Sequence, residues 1–194
     1  MSSKNAKDVA GFLYCSGNLE EKVFALYRTL SDKLQNPIVK SLLLYIAYDS
    51  LKHSLTMRGI AETISKSKPK PEDCERKMNQ IWRKITSLSA EISNRETIGD
   101  HELSALATEL AGFENSLSEE YFVLVQLKTL EYMTKEITQM YKVDLDGLRD
   151  IFELIIKDEE NHREILNSIG ELFATEQIMK NNTPVVKYQH PEAW

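Results

Sequence analysis

Two segments of the chain, 39–64 and 148–173, repeat one another at a fixed offset of 109 residues, and this repeat limits the fold more than any other feature. Val39, Leu43, Ile46, Ser50, His53, Met57, Ile60 and Ile64 fall on Leu148, Phe152, Ile155, Glu159, His162, Leu166, Ile169 and Phe173. Each series advances by three or four residues, the spacing that aligns side chains along one side of an α-helix. The repeat therefore predicts two equivalent helices, B and D, with polar residues set into their apolar stripes. In helix D the polar run Asp158 to His162 divides accordingly: Glu160 and Asn161 face out, followed by Arg163, while Glu159 and His162 face in.

The rest of the chain is read on the same period. With only 7 Gly and 5 Pro in 194 residues, turns are few and long helices are favoured, so the expected class is all-α. Helix A spans about Leu19 to Leu34, with Val23, Phe24, Tyr27 and Leu30 on one face. Asn36 then caps helix B and Pro37 occupies its first turn, and the run SKSKPKP stops it. A separate helix begins at Pro71 with a narrow stripe of Cys74, Met78, Ile81, Ile85, Leu88 and Ile92. Another follows SNRETIGD, with Asp100 as its cap and a stripe from Leu103 to Leu117. Helix C is placed from a capping box at Ser116 and Glu119, although one uninterrupted helix from about His101 to Tyr141 fits the pattern too. Helix D runs from about Leu145 to Met179. These elements make a single domain over 1–180, with insert helices at about 70–116 and an extended tail at 181–194.

Charge and composition exclude several classes. The net charge is −6 and the basic residues are scattered, which argues against nucleic acid. No stretch approaches the roughly 18 apolar residues of a membrane span, and the first apolar run is too short for a signal peptide. Cys15 and Cys74 form no CxxC pair, so they are read as small core residues rather than as a disulfide framework. The expected location is a reducing, cytoplasmic one.

Glu20 lies on the face of Val23 and Tyr27, 33 residues before His53, and Gln126 lies 36 residues before His162. Antiparallel hairpins A–B and C–D bring each such pair to the same depth. An unpaired carboxylate in a core costs on the order of several kcal/mol, so Glu20 and Glu159 beside two imidazoles require compensation. A divalent cation supplies it, with Glu20, His53, Glu159 and His162 as candidate ligands.

These residues resemble the ferritin-like di-iron carboxylate superfamily, most closely its rubrerythrin-type branch. That family takes one Glu from each of two helices and a Glu-x-x-His from each of two others. Glu159 to His162 matches the motif in full; Ser50 to His53 matches only at the histidine. Asp49 and Asp158 stand where the family has an Asp that orients a ligand imidazole, with Tyr27 beside the site. Gln126 replaces the carboxylate expected on helix C, and Glu131 substitutes in another register. The resemblance implies an antiparallel four-helix bundle with additional helices in the B–C connection, holding one or two ions of iron, or of manganese or zinc. It also implies an oxidoreductase acting on peroxide or oxygen, as a weak peroxidase or ferroxidase. The competing reading is a non-catalytic interaction or oligomerisation module whose stripes at 74–92 and 103–117 dock a partner or a second copy. A homodimer is expected on either reading.

Overall fold

A computed structural model describes residues 3–126 and 146–182, and over them the chain is all-helical. The helices are α1 (Ser3–Asp32), α2 (Pro37–Ile64), α3 (Pro71–Ser93), α4 (Asp100–Gln126) and α5 (Asp146–Asn182). Among the described residues no helix is long and apolar enough to cross a membrane.

Local chemistry sets the boundaries of α2 as expected. The Asn36 side chain accepts hydrogen bonds from the amides of Ile38 and Val39, at 3.0 and 3.2 Å, satisfying two donors that the first turn leaves free. Pro37 follows at the first helical position, where its missing N–H costs nothing. Helix α1 begins a dozen residues earlier than its strongest apolar stripe suggests. Two of its early residues explain the extension: Ala10 and Leu13 are buried and continue the stripe through Gly11 and Gly17. Gly17 is needed for proximity. A Cβ there would lie 2.9 Å from the Ser54 carbonyl oxygen, so the glycine lets α1 and α2 meet one turn from Glu20 and His53.

Helices α1 and α2 form one antiparallel hairpin, joined across by the Arg58–Glu21 pair at 2.7 Å. Helices α4 and α5 form another, in which Ser104 donates to the Gly170 carbonyl and Arg163 to the Asn115 side chain. The apolar stripes of both hairpins meet in one core: Val23, Leu30, Leu43, Ile46, Leu110, Phe113, Phe152 and Leu166 are all buried.

Two expectations about the middle of the chain are corrected. Helix α4 passes through residues 116–119 without a break, and Ser116 donates to the Gly112 carbonyl within the helix rather than capping a new one. The continuous alternative describes it as far as Gln126. Consequently the segment from Asp100 belongs to a core hairpin and not to an insert, which leaves α3 as the additional helix. Its stripe does not wait for a partner. Cys74, Met78, Trp82, Ile85, Leu88 and Ile92 are buried against this chain's own helices, as are Leu103, Leu110, Phe113 and Leu117. Lys22 of α1 places its ammonium 4.8 Å from the Trp82 ring.

Cys15 and Cys74 also depart from the expectation. Both are buried, as small core residues would be, but they are joined as a disulfide between α1 and α3. A separation of 59 residues carries no spacing signature, and only the seating of α3 along α1 brings the two together. The bond removes the ground on which a reducing compartment was expected. Closing a loop of 59 residues reduces the freedom of the unfolded chain by about 4 kcal/mol on the chain-entropy argument. The double variant Cys15→Ala/Cys74→Ala is therefore expected to melt about 10 °C below the oxidised protein in a thermal denaturation series. An unchanged melting temperature would remove this role.

Candidate metal centre

Five ionisable side chains from four helices converge in the core. Glu20 comes from α1, His53 from α2, Glu114 from α4, and Glu159 and His162 from α5; all five are fully buried. They form two groups, Glu20–His53–Glu159 and Glu114–Glu159–His162, in each of which one donor atom per residue lies within 4.8 Å of the others. Glu159 is common to both. His53 Nδ1 stands 2.9 Å from Glu159 Oε1 and His162 Nδ1 3.3 Å from Glu159 Oε2, so the one carboxylate reaches both imidazoles.

The outer ring nitrogens are held by aspartates on the opposite helix. Asp158 of α5 lies 3.0 Å from His53 Nε2, and Asp49 of α2 lies 3.3 Å from His162 Nε2. With Nε2 bonded outward, each Nδ1 is turned toward the carboxylates. The glutamates of α1 and α4 are braced in the same crossed fashion. Tyr27 of α1 donates to Glu114 of α4, and Tyr121 of α4 donates to Glu20 of α1 at 2.5 Å.

Glu114 and Tyr121 did not emerge from the sequence as site residues, although a signal for them exists. Glu20 and Tyr27 are seven residues apart, Glu114 and Tyr121 are seven residues apart, and the two pairs are separated by 94. The expectation of Gln126 rested on giving both hairpins similar short connections. The second hairpin has a longer one, so the carboxylate lies earlier in the chain. Gln126 is twelve residues beyond Glu114, about 18 Å along the helix axis, too far to share its depth. Glu131 lies outside the described residues. Ser50 occupies the position that Glu159 holds in the other hairpin; it is buried and donates to the Ile46 carbonyl of its own helix at 3.2 Å.

Several core atoms lack any hydrogen-bond partner within the chain: Glu20 Oε2, Glu114 Oε2, Glu159 Oε1 and His53 Nδ1. Buried polar atoms are normally satisfied, and leaving one bare costs about 1–3 kcal/mol. His53 Nδ1 and Glu159 Oε1 are close but not aligned for a hydrogen bond to each other. Bare donor atoms from four helices pointing into one space are what a cation site requires. Oxygen and imidazole nitrogen together suit iron, manganese or zinc.

The metal-free charge balance is uneven. Burial and the neighbouring Glu159 push the Glu20 carboxyl up to about 8, and the same two causes hold Glu114 well above the usual range. Burial works against ionisation of Glu159 too, but the imidazoles on either side outweigh it and keep this group a carboxylate far below its ordinary value. Burial resists charge on His53, yet Asp158 and Glu159 overcome it and raise the imidazole to about 10; Glu114 and Glu159 raise His162 to about 11. Burial, then the adjoining carboxylates Glu114 and Glu20 respectively, raise the Tyr27 and Tyr121 hydroxyls, so both remain protonated donors. Without a cation the cluster thus holds its carboxyls and imidazoles together by keeping protons.

Comparison with known protein families, curated proteins and solved structures gives no match for this chain. The reading of the site rests on its own geometry.

The raised Glu20 value has a definite sign. A carboxyl whose folded pKa exceeds the unfolded one binds its proton more tightly when folded. Its contribution is therefore fully present below pH 4.5 and is lost as pH rises toward 8. In metal-free protein, Glu20→Gln is expected to gain stability relative to wild type as pH is raised from 4.5 to 8, measured by denaturant unfolding at each pH. A difference independent of pH across that window would contradict the assignment.

Proposed function

We propose that this chain is a ferritin-like four-helix bundle, built from α1, α2, α4 and α5, that binds two divalent metal ions and acts as an iron-dependent oxidoreductase on peroxide or oxygen. The observation that carries the reading is the pair of carboxylate–imidazole groups sharing Glu159, with unsatisfied donor atoms facing inward. Glu20 and His53 would hold one ion, Glu114 and His162 the other, and Glu159 would serve both. Iron, when bound, supplies the electrons for reducing the substrate. The protein supports that chemistry with Tyr27 and Tyr121, which fix one oxygen each of Glu114 and Glu20 and leave the second oxygen free. The aspartates fix the imidazoles from outside.

The complete family pattern has a second Glu-x-x-His, and here Ser50 stands in place of its carboxylate. Three glutamates instead of four leave a pair of ions with less anionic charge and one bridging residue. This supports a role in metal binding with slow oxidation rather than fast turnover. The non-catalytic alternative loses its docking stripes, since both are covered within the chain.

Metal analysis after reconstitution with Fe²⁺ under anaerobic conditions is expected to find close to two ions per wild-type chain. Glu159→Ala should lose both, whereas His162→Ala should lose mainly one. Ser50→Glu is expected to increase the rate of ferrous oxidation, followed by absorbance in stopped flow. Equal and negligible iron in wild type and Glu159→Ala would end the proposal.

Self-association belongs to the same proposal. Ile38, Tyr45, Tyr48 and Leu55 are exposed on α2, a concentration of large apolar side chains that a second copy would cover. Light scattering is expected to give twice the chain mass, and Tyr48→Lys/Leu55→Lys should return it to that of one chain.

A further inference from the structure

One charged residue beside the site has a geometry that a surface ion pair does not explain. Lys52 of α2 has a side chain 54% exposed, yet its ammonium lies 2.8 Å from Asp49 Oδ1 and 2.8 Å from Asp158 Oδ2. These are the two carboxylates that hold the buried imidazoles from outside. A continuous series of contacts therefore runs from His162 through Asp49, Lys52 and Asp158 to His53, joining the two candidate ligands through a single cation.

The internal repeat shows that this cation is not duplicated. Asp49 corresponds to Asp158 and His53 to His162, but the residue 109 positions after Lys52 is Asn161, which is uncharged and exposed. One lysine thus serves a pair of otherwise equivalent aspartates. Two carboxylates facing each other across α2 and α5 repel, and a cation between them both removes the repulsion and sets their planes. The two are not held alike. Asp49 uses one oxygen for Lys52 and the other for His162, whereas Asp158 presents the same oxygen to Lys52 and to His53. The Asp49–His162 contact is the longer, at 3.3 Å against 3.0 Å, so it depends more on the lysine to fix its carboxylate.

We propose that Lys52 is a positioning residue for the metal centre: by tying Asp49 to Asp158 it orients both imidazoles so that each presents Nδ1 to Glu159. This rests on the metal-binding reading above. An exposed ion pair of ordinary kind contributes little, in the range of about 0–1 kcal/mol, and its removal would leave the interior unchanged. The positioning role predicts a change inside the core when a largely exposed side chain is altered.

The test uses Lys52→Met, which keeps the length and loses the charge, with Lys52→Arg as the conservative variant. Two readouts are taken on the full chain. The first is the side-chain nitrogen NMR spectrum of His53 and His162 in metal-free protein. The second is titration with Co²⁺, followed through its visible absorption bands. Lys52→Met is expected to keep the wild-type helical content, to move the resonances of both histidines with His162 moving more, and to weaken Co²⁺ binding about tenfold, a loss usual for groups that orient metal ligands. Lys52→Arg should restore the spectra and most of the affinity. Unmoved histidine resonances in Lys52→Met overturn the proposal, whatever happens to Co²⁺ binding. So does a change in them that arginine fails to restore. If wild type takes up no Co²⁺, the metal reading fails, and the histidine spectra still decide whether Lys52 orients the two rings.

Discussion

The fold is organised around the burial of one ionised carboxylate, Glu159. A carboxylate removed from water is among the most expensive groups a core can contain, and it is tolerated only where opposite charge surrounds it. Here both imidazoles lie within 3.3 Å of its two oxygens and carry the compensating charge in the metal-free protein. That requirement fixes the depth of His53 on α2 against α5, and with it the register of one hairpin on the other. The apolar stripes above and below the site supply most of the stabilisation, but they would accept a slip along the helix axis more readily than the charged cluster would.

A second constraint acts at right angles to the first. Each brace around the site crosses from one hairpin to the other: Tyr27 to Glu114, Tyr121 to Glu20, Asp158 to His53 and Asp49 to His162. Buried polar networks of this kind stabilise only when every member is satisfied, and they reject alternative registers because a shift strands several groups together. The remaining unsatisfied atoms are confined to the inward side of the site and to two serines, Ser16 and Ser54. The chain thus satisfies its polar core everywhere except where a ligand would enter.

Much of this was legible in the sequence because it is periodic. The offset of 109 residues places Glu159, His162 and His53 on apolar stripes without reference to any tertiary contact, and it places Asp49 and Asp158 beside them. Asn36 and Pro37 announce the start of α2 through chemistry that acts within four residues. Glu114 is a different case. Its position depends on the length of the connection before α5, and periodicity fixes the face of a helix but not how far a loop displaces it. The capping pattern at Ser116 and Glu119 was misleading for a related reason: in a helix interior a serine back-bonds to its own helix, and Leu110, Phe113 and Leu117 bury too much apolar surface for the helix to end there. The Cys15–Cys74 bond is a purely tertiary fact, set by which face of α3 meets α1.

Ser50 gives the repeat its one chemical asymmetry at the centre, and that asymmetry bears on how two cations share the site. In a symmetric pair of motifs each hairpin would bring its own bridging carboxylate, and one position could be filled with its own complement of anions. Here the two positions draw on one carboxylate, so they are thermodynamically linked: the first ion to arrive fixes the orientation of Glu159 and alters its charge for the second. Whatever the sign of that coupling, each ion must change the other's affinity by the same factor. Loading of such a centre is one joint equilibrium, and its two halves have no separate binding constants that could be tuned independently.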